Sequence, residues 1–183
     1  MKEGRIILGI DPGTIVMGYG LICDRNRKPE LITLGALELG KIKDHFLRLR
    51  KIFEYTVNLI DRYHPDELAI ESPFYGKNIQ SMLKLGRAQG VAISAALSRD
   101  LPIFEYAPRK IKLAITGEGS ASKEQVATLL EKFLSIKEMP SKLDATDGLA
   151  VAFCHYYQKE LPSSGTSYKN WNDFLKKNPG RVV

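Results

Sequence analysis

Four acidic side chains stand at the expected ends of strands and helices, where together they could hold a metal ion. Asp11 and Glu71 each come directly after a short apolar run. Asp144 and Asp147 are three residues apart in a helical pattern, so they lie on one face of a helix. Because like charges repel, gathered carboxylates are stabilised by a cation between them, and their oxygens suit a hard divalent cation such as Mg²⁺. The sequence therefore predicts a divalent metal site.

Each of the four residues also has an explanation that needs no metal. Asp11 could begin a turn at the Pro-Gly pair that follows it, and Glu71 could be a solvated strand end. Asp144 could form a capping box with Ser141, and Asp147 could stabilise the positive end of a helix. If the four residues had no shared function, their positions at the ends of strands and helices would be four separate coincidences. The joint pattern therefore favours the metal site.

Composition and charge narrow the class of protein. The chain has 183 residues, 44% of them hydrophobic, which is sufficient for one globular domain with a core. Its net charge of +6 and its pI near 9.2 favour a polyanionic partner. Cys23 and Cys154 lie in apolar surroundings without a metal-ligand spacing, so they are predicted to be buried, reduced thiols. With no signal peptide and no apolar stretch of about 20 residues, the chain is predicted to be cytoplasmic and to have no membrane partner.

Hydrophobic periodicity predicts the strands and helices that must position the acidic residues. In chain order they are three strands in an antiparallel meander, a helix, a strand, a helix, a strand and three helices. This order predicts an α/β fold with a mixed five-stranded central sheet and helices on both faces. The first and fourth strands must be neighbours for Asp11 and Glu71 to meet. The predicted strands are residues 5–10, 18–23, 30–39, 67–70 and 102–106, and the predicted helices are residues 43–63, 79–98, 108–115, 122–134 and 141–159.

Local signals indicate where several of these helices begin and end. Asn78 and Ser122 are predicted N-caps, and Ser122 is expected to form a capping box with Gln125. His64, which precedes a proline, is predicted to end the first helix. His155 lies eight residues beyond the acidic pair, about two helical turns away, so it is predicted to be structural rather than a metal ligand.

Four short motifs, in matching order and spacing, resemble those of a known family. They are GIDPGT at residues 9–14, IESPF at residues 70–74, LKLGRAQG at residues 83–90 and DATDGLA at residues 144–150. From about residue 5 to residue 157 the chain resembles the RuvC family, the bacterial Holliday junction resolvases. The resemblance implies an RNase H-like fold. Residues 1–161 are accordingly predicted to form one RNase H-like nuclease domain. The resemblance does not cover residues 162–183, which are rich in Ser, Asn, Gly and Lys and weakly patterned, so they are predicted to form a weakly structured C-terminal tail.

The resemblance also implies an activity and a set of site residues. A resolvase makes paired, symmetric nicks in four-way DNA junctions during recombination and repair, and its products carry 5′-phosphates. Asp11, Glu71, Asp144 and Asp147 would be the catalytic metal ligands, with Asp11 bridging two ions. Two Mg²⁺ ions about 4 Å apart, or Mn²⁺ as a substitute, could activate the attacking water and stabilise the leaving oxygen.

Positive charge is concentrated in the middle of the chain, where ten Lys and Arg residues oppose five Asp and Glu residues between positions 76 and 137. Lys112 and Lys123 match positions where the family carries basic residues near the cut strand. Phe74 matches a family aromatic residue that stacks on an unpaired base at the branch point. For the lysines the alternative is a solvated helix face, and for Phe74 it is packing on its own domain. The predicted DNA-binding residues are Phe74, Lys77, Lys84, Arg87, Lys112 and Lys123.

The resemblance further implies two protein partners. One is a second copy of the chain, and the other is the RuvA–RuvB branch-migration complex. The dimer face is expected on the helix predicted at residues 79–98. Small residues there would permit close packing, namely Gly86, Gly90, Ala92, Ala95 and Ala96. Two active sites would then cut two strands of like polarity.

Three other functions are compatible with part of the pattern. An ATPase or sugar kinase of the actin-like superfamily has a phosphate loop like residues 9–14, but it needs two domains and a glycine-rich adenosine motif that this sequence lacks. A related RNase H-like nuclease could act on RNA or on simple DNA ends. A non-catalytic scaffold that binds nucleic acid would not need the complete acidic set, so the nuclease is favoured.

Overall fold

The sheet begins with three antiparallel strands joined by short connections. A computed structural model describes residues 4–73, 78–136 and 143–160 of the chain. The strands are β1 (Arg5–Asp11), β2 (Val16–Arg25) and β3 (Lys28–Glu38). Asn26 and Arg27 both have positive φ, which forms the tight turn between β2 and β3. The predicted meander is confirmed, and β2 extends two residues beyond its predicted bounds at each end.

Two further strands complete the sheet. They are β4 (Glu67–Glu71) and β5 (Ile103–Tyr106), and the strand order is β3-β2-β1-β4-β5. β1 and β4 are parallel neighbours whose last paired residues are Ile10 and Ile70. The mixed five-stranded sheet and the adjacency of the first and fourth strands are therefore confirmed. Asp11 and Glu71 come next along these strands, so they lie side by side at the carboxyl ends of β1 and β4.

Two long helices cover one face of the sheet. They are α1 (His45–Tyr63) and α2 (Ile79–Leu97). α1 begins after Asp44, whose carboxylate accepts a hydrogen bond from the Leu47 amide at 2.8 Å, and it ends at His64 in the left-handed conformation. α2 begins after the predicted cap Asn78, whose side chain accepts from the Ser81 amide. Apolar residues of both helices pack against alternate residues of β1 and β4.

Three helices cover the opposite face. They are α3 (Pro108–Thr116), α4 (Lys123–Phe133) and α5 (Asp144–Glu160). α4 begins with the predicted capping box, in which the Ser122 hydroxyl accepts from the Gln125 amide and the Gln125 side chain accepts from the Ser122 amide. The apolar residues of these helices pack against β1, β2, β4 and β5, so the expectation of helices on both faces is confirmed.

Glycines allow α5 to pack backbone to backbone on the sheet. A Cβ added at Gly9 would overlap the carbonyl of Gly148, and one added at Gly18 would overlap the carbonyl of Asp144. Any side chain at these two strand positions would push the first turns of α5 away from β1 and β2. The glycines therefore determine how closely the acidic start of α5 approaches Asp11, which pairs with Gly18 across the sheet.

A chain of polar contacts ties α5 to four strands. Tyr106 Oη lies 2.6 Å from His155 Nδ1, and His155 Nε2 lies 2.7 Å from Glu67 Oε2. The Glu67 carboxylate lies 3.7 Å from the guanidinium of Arg5, which contacts Asp24 at 3.4 Å. His155 is fully buried and has both ring nitrogens engaged. These contacts agree with the structural role predicted for His155.

One predicted use of α2 is wrong. Ala92, Ala95 and Ala96 are buried in the core of this chain, so they cannot form a dimer face. A Cβ at Gly86 or Gly90 would meet no atom within 4 Å, so neither glycine serves close helix packing inside the described chain. The alanines face inward because α2 packs against α1 and the sheet on that side. The two glycines lie on the open side of the helix.

Several remaining predictions concern single residues or segments. Cys23 and Cys154 are both buried, as predicted. Among the helices that the structure describes, none combines the length and the apolarity needed to cross a bilayer. Four predicted features lie outside the described residues, namely Phe74, Lys77, Ser141 and residues 162–183.

Candidate active site

Three of the predicted acidic residues line one cavity at the carboxyl ends of β1 and β4. Asp11 and Glu71 reach it from these strands, and Asp147 reaches it from the first turn of α5. The cavity has a volume of about 230 Å³, and α3 and α4 contribute Lys112 and Lys123 to its wall. We call it the carboxylate cavity. It brings together predicted site residues from five different elements of the fold.

Asp144 lies beside this cavity rather than in it. It is the first residue of α5, one turn before Asp147. Burial and neighbouring charges raise the pKa values of Asp11 and Asp147, and Asp144 is one of those neighbours. Asp144 lines an adjacent cavity together with Gly13 and Lys84. The fourth predicted carboxylate is thus close enough to act electrostatically on two of the others, but it belongs to a different part of the surface.

The acids in the carboxylate cavity hold their protons more tightly than free carboxylates do. Burial, followed by the charges of Asp147 and Asp144, raises the pKa of Asp11 to about 6. Burial, followed by the charges of Asp11 and Asp147, raises the pKa of Glu71 to about 8. Full ionisation of these acids at neutral pH therefore requires more positive charge than the protein supplies, and a bound cation would provide it.

Two lysines supply part of that positive charge. Lys123, the first residue of α4, forms an ion pair with the Asp147 carboxylate. Burial lowers the pKa of Lys123, but the hydrogen bond and charge of Asp147 outweigh this effect and raise it. Lys123 in turn opposes the upward pKa shifts of Asp11 and Glu71, and the half-buried Lys112 opposes that of Glu71. Both predicted lysines therefore face the acids, from the side of α3 and α4.

The donor set fits a divalent cation by its chemistry. Within residues 4–73, 78–136 and 143–160, no three His, Cys, Asp or Glu side chains form a ready-made metal site. The donors in the carboxylate cavity are nevertheless carboxylate oxygens, which Mg²⁺ and Mn²⁺ prefer. The raised pKa values of Asp11 and Glu71 reflect repulsion that a cation would relieve. Because Lys123 pairs with Asp147, binding of one ion by all three acids would require that pair to loosen.

Two polar side chains that the sequence patterns did not single out support the segments bearing the acids. Gln89, on the buried side of α2, donates to the Glu71 carbonyl at 3.4 Å and to the Glu105 carboxylate at 3.0 Å. Arg48 donates to the Thr14 carbonyl at 3.2 Å, in the turn that follows β1. A polar residue on an otherwise apolar helix face was a signal for Gln89. Nothing in the spacing of the sequence marked Arg48.

The other predicted DNA contacts lie apart from the carboxylate cavity. Lys84 and Arg87 are exposed on α2, on the opposite face of the sheet from α3 and α4. Lys84 lines the cavity that also contains Asp144. Phe74 and Lys77 fall in the segment between residues 73 and 78, outside the described residues. The structure therefore groups two of the predicted lysines with the acids and places the α2 cations elsewhere.

Sequence comparison identifies the family of the chain. The family described as "Crossover junction endodeoxyribonuclease RuvC" matches residues 7–155. The chain belongs to the RuvC family. A relative of that description from Christiangramia forsetii is 59% identical over 182 residues, which cover 100% of this chain and 95% of the relative. Another, from Bacteroides fragilis, is 58% identical over 184 residues, which cover 100% of this chain and 97% of the relative.

Solved structures share the fold. T. thermophilus RuvC in complex with Holliday junction substrate matches with a TM-score of 0.75 and 26% identity, covering 85% of this chain and 94% of that chain. The yeast mitochondrial Holliday junction resolvase Ydc2 matches with a TM-score of 0.60 over 96% of this chain and 84% of its own, and at 16% identity it supports the fold alone. The predicted family and the RNase H-like α/β fold are confirmed. Membership in this nuclease family also implies dependence on a divalent metal ion.

Proposed function

We propose that this chain is a Holliday junction resolvase, a metal-dependent endodeoxyribonuclease that makes paired, symmetric nicks in four-way DNA junctions during recombination and repair. The carboxylate cavity carries the proposal, because Asp11, Glu71 and Asp147 meet there beside Lys112 and Lys123 in a member of the RuvC family. Acids beside lysines suit phosphodiester hydrolysis. The acids can hold metal ions, and the lysines can bind phosphate oxygens.

The four acidic residues are proposed to hold two Mg²⁺ ions, with Mn²⁺ as a substitute. When bound, such ions supply Lewis acidity for the attack of water and for the departing 3′-oxygen, so the products would carry 5′-phosphates and 3′-hydroxyls. Asp11 is the best candidate for a bridging ligand. Its pKa is raised by burial and by the charges of Asp147 and Asp144, and its own charge contributes to the raised pKa of Glu71. Asp11 therefore lies in electrostatic contact with all three other acids.

Lys112 and Lys123 are proposed to position the phosphate that is cut. Both line the carboxylate cavity, on the side of α3 and α4. An ammonium group there can bind a non-bridging phosphate oxygen and offset the negative charge that develops during hydrolysis. Lys123 would exchange part of its ion pair with Asp147 for the phosphate as metal and substrate enter the site. The lysines therefore act by binding and electrostatics, and the acids act by holding the ions.

A homodimer is proposed to place two such sites on two strands of like polarity. Ile79, Leu83 and Leu97 are 65%, 51% and 60% exposed on α2, and exposed apolar residues that cluster mark interaction surfaces. At helical spacing they share one stripe with Gly86 and Gly90, whose open sides would let another helix approach closely. This stripe, rather than the buried alanines, is the proposed dimer surface.

The remaining parts of the proposal rest on the sequence and the family. The nuclease domain is proposed to span residues 1–161 and to act in the cytoplasm together with RuvA–RuvB. Lys77, Lys84 and Arg87 are proposed DNA contacts. Phe74 is proposed to stack on an unpaired base, an interaction worth about 1–3 kcal/mol. Cleavage should therefore fall more in Phe74→Ala than in Phe74→Tyr, and equal rates in the two variants would count against stacking.

The direct test is cleavage of a synthetic four-way junction beside a linear duplex of the same sequence. Reactions would contain Mg²⁺, Mn²⁺, Ca²⁺ or EDTA. Asp11→Asn is the active-site variant, and Asp100→Asn is the matched control, because Asp100 is exposed and its positive φ suits asparagine. Symmetric nicks on the junction alone, requiring Mg²⁺ or Mn²⁺ and lost only in Asp11→Asn, are expected. Equal cutting of both substrates would indicate a general nuclease.

A further inference from the structure

The carboxylate cavity continues into two neighbouring cavities. Asp11 and Glu71 also line a second cavity of about 290 Å³, whose wall includes Gly13 and Leu85. Gly13 and Leu85 in turn line a third cavity of about 670 Å³, between the turn after β1 and the starts of α1 and α2. Each cavity shares two lining residues with the next, so the three are neighbours, and we call this row of cavities the trough. Asp11 and Glu71 stand between the carboxylate cavity and the second cavity.

The third cavity, which we call the α1–α2 pocket, has a mostly cationic wall. Lys43 lies just before α1, Arg48 lies in its first turns, and Lys84 lies on α2. Both lysines are exposed, and neither takes part in the ion pairs of the described residues. Asp144 is the one carboxylate among the described lining residues, so three cations oppose one anion. The pocket should attract an anion.

Two further features of the α1–α2 pocket favour a phosphate over an apolar ligand. His45 lines it, and the buried ring nitrogen Nε2 of this residue has no hydrogen-bond partner among the described residues. Arg48 already donates to the backbone carbonyls of Thr14 and Ile42, which fixes its guanidinium at the pocket wall. The exposed ammonium groups of Lys43 and Lys84 are therefore the groups available to an oxygen-rich anion.

We propose that the α1–α2 pocket binds a backbone phosphate of the DNA strand that is cut, a few nucleotides from the scissile phosphate. This inference rests on the proposed nuclease function. Lys112 and Lys123 hold the strand on one side of the acids, and Lys43 and Lys84 hold it on the other. A strand gripped at both ends of the trough has its scissile bond fixed in register with the acids, which a contact on one side alone cannot achieve.

The first test measures binding of the four-way junction in Ca²⁺ as a function of salt. Lys43→Gln/Lys84→Gln removes two exposed charges from the pocket. Lys51→Gln/Lys132→Gln is the matched control, because Lys51 and Lys132 are exposed on α1 and α4 and line none of the three cavities. Loss of one phosphate contact in each of the two subunits should reduce the slope of log Kd against log salt by about 2. Wild type should bind the junction more tightly than the pocket variant at about 50 mM salt, and this advantage in affinity should shrink about tenfold by about 200 mM salt.

The second test locates the contact on the DNA. Single phosphates of the cut strand are replaced by uncharged methylphosphonates, one position at a time, on both sides of the cut. At one position on the α1–α2 side, the methylphosphonate should weaken binding of the DNA to wild type. The same methylphosphonate should not change binding to Lys43→Gln/Lys84→Gln. The control variant Lys51→Gln/Lys132→Gln should retain the wild-type pattern. Penalties in the pocket variant that match wild type at every position, or a salt slope equal to that of Lys51→Gln/Lys132→Gln, would overturn the proposal.

The two failures can be told apart. If wild type does not cut the junction, the proposed function is wrong, whatever the pocket binds. If wild type cuts symmetrically but the pocket variant binds and cuts as the control does, the function holds and the α1–α2 pocket does not contact the strand. Inorganic phosphate added as a competitor provides a third readout. If inorganic phosphate displaces DNA from wild type and from the pocket variant at the same concentrations, the pocket contains no specific phosphate site.

Discussion

Titration of the metal-free protein with Mn²⁺ at pH 7 is expected to release about one proton per active site. Burial and the charges of Asp11 and Asp147 raise the pKa of Glu71 to about 8, so about nine-tenths of Glu71 is protonated at pH 7. The pKa of Asp11 is raised by burial, with Asp147 adding to it, to about 6, so about one-tenth of Asp11 is protonated there. A carboxylate must lose its proton to bind a metal, so these two fractions together give the expected release.

The same values predict how metal affinity depends on pH. Between about pH 6 and pH 8 one proton leaves for each binding event, so the apparent Kd for Mn²⁺ should fall about tenfold per pH unit. Below about pH 6 the proton on Asp11 must leave as well, and the dependence should steepen towards about 100-fold per unit. Above about pH 8 both acids are ionised and the affinity should level off.

Isothermal titration calorimetry in two buffers of different ionisation enthalpy measures this release. At pH 7 the observed heats should differ by about the difference between the two buffers' ionisation enthalpies, because about one proton is released per site, and at pH 9 this difference should nearly vanish. Glu71→Gln removes the main source of the proton, whereas Asp100→Asn should behave as wild type. Heats at pH 7 that do not depend on the buffer would refute the reasoning, because Glu71 would then be ionised before the metal binds.

Stability, electrostatics, packing and the buried polar contacts give four further predictions. The folded-state pKa values of Asp11 and Glu71 lie above their unfolded values, so ionisation of these acids destabilises the fold. In EDTA, the Tm of wild type minus the Tm of Glu71→Gln should therefore fall as the pH rises from about 5 to 9. A Tm difference that does not change with pH would contradict the raised pKa of Glu71. Lys123→Gln should slow single-turnover junction cleavage about 100-fold with Lys123→Arg partly active, and a rate near wild type would remove Lys123 from the chemistry. In Gly18→Ala the added Cβ would displace α5, so the free energy of unfolding measured in urea should fall by about 1–3 kcal/mol and Mn²⁺ binding should weaken. A normal Mn²⁺ affinity would show that the displacement of α5 does not disturb the acids. His155→Phe should lower the free energy of unfolding in urea by about 3 kcal/mol, because Glu67 on β4 and Tyr106 on β5 lose their buried partner. A loss below about 1 kcal/mol would contradict this expectation.

Local structure could be predicted from the sequence because its causes are local. The caps Asn78 and Ser122 satisfy amide groups within three residues of themselves, so their patterns are visible in the chain. The end of α1 at His64 follows from the proline after it. The carboxyl end of β2 could not be placed as well, because its last residues, Asp24 and Arg25, are polar and are held by pairing with β3 rather than by burial.

The assembly of the candidate site depends on contacts between distant residues, and the sequence shows these only indirectly. The meeting of Asp11 and Glu71 was inferred from shared chemistry, because no local pattern specifies which strands are neighbours in a sheet. The pKa values of both acids depend on burial, which exists only in the folded chain. Lys43 and His45 were missed because an isolated cation or histidine beside a helix start is common, and its meaning depends on what lies across the groove.

The inward and outward sides of α2 were confused for a physical reason. Its buried face is made of alanines and its open face carries Leu83 and Leu97, so the usual contrast between apolar inside and polar outside is weak. Small residues pack well in a core as well as between subunits. Only the packing of α1 against α2 decides which side is which, and that packing brings residues far apart in the chain into contact.

The location of α5 near the end of the described chain has a consequence for protein synthesis. Asp11 and Glu71 are made early, but Asp144 and Asp147 are made late and arrive on the helix that closes the sheet. Seven of the sixteen buried residues in the core cluster on that face also belong to α5. A ribosome-bound chain that stops at residue 136 thus lacks both half of the acids and much of the core. If these acids act as proposed, DNA cutting requires that α5 has left the ribosome and docked on the sheet.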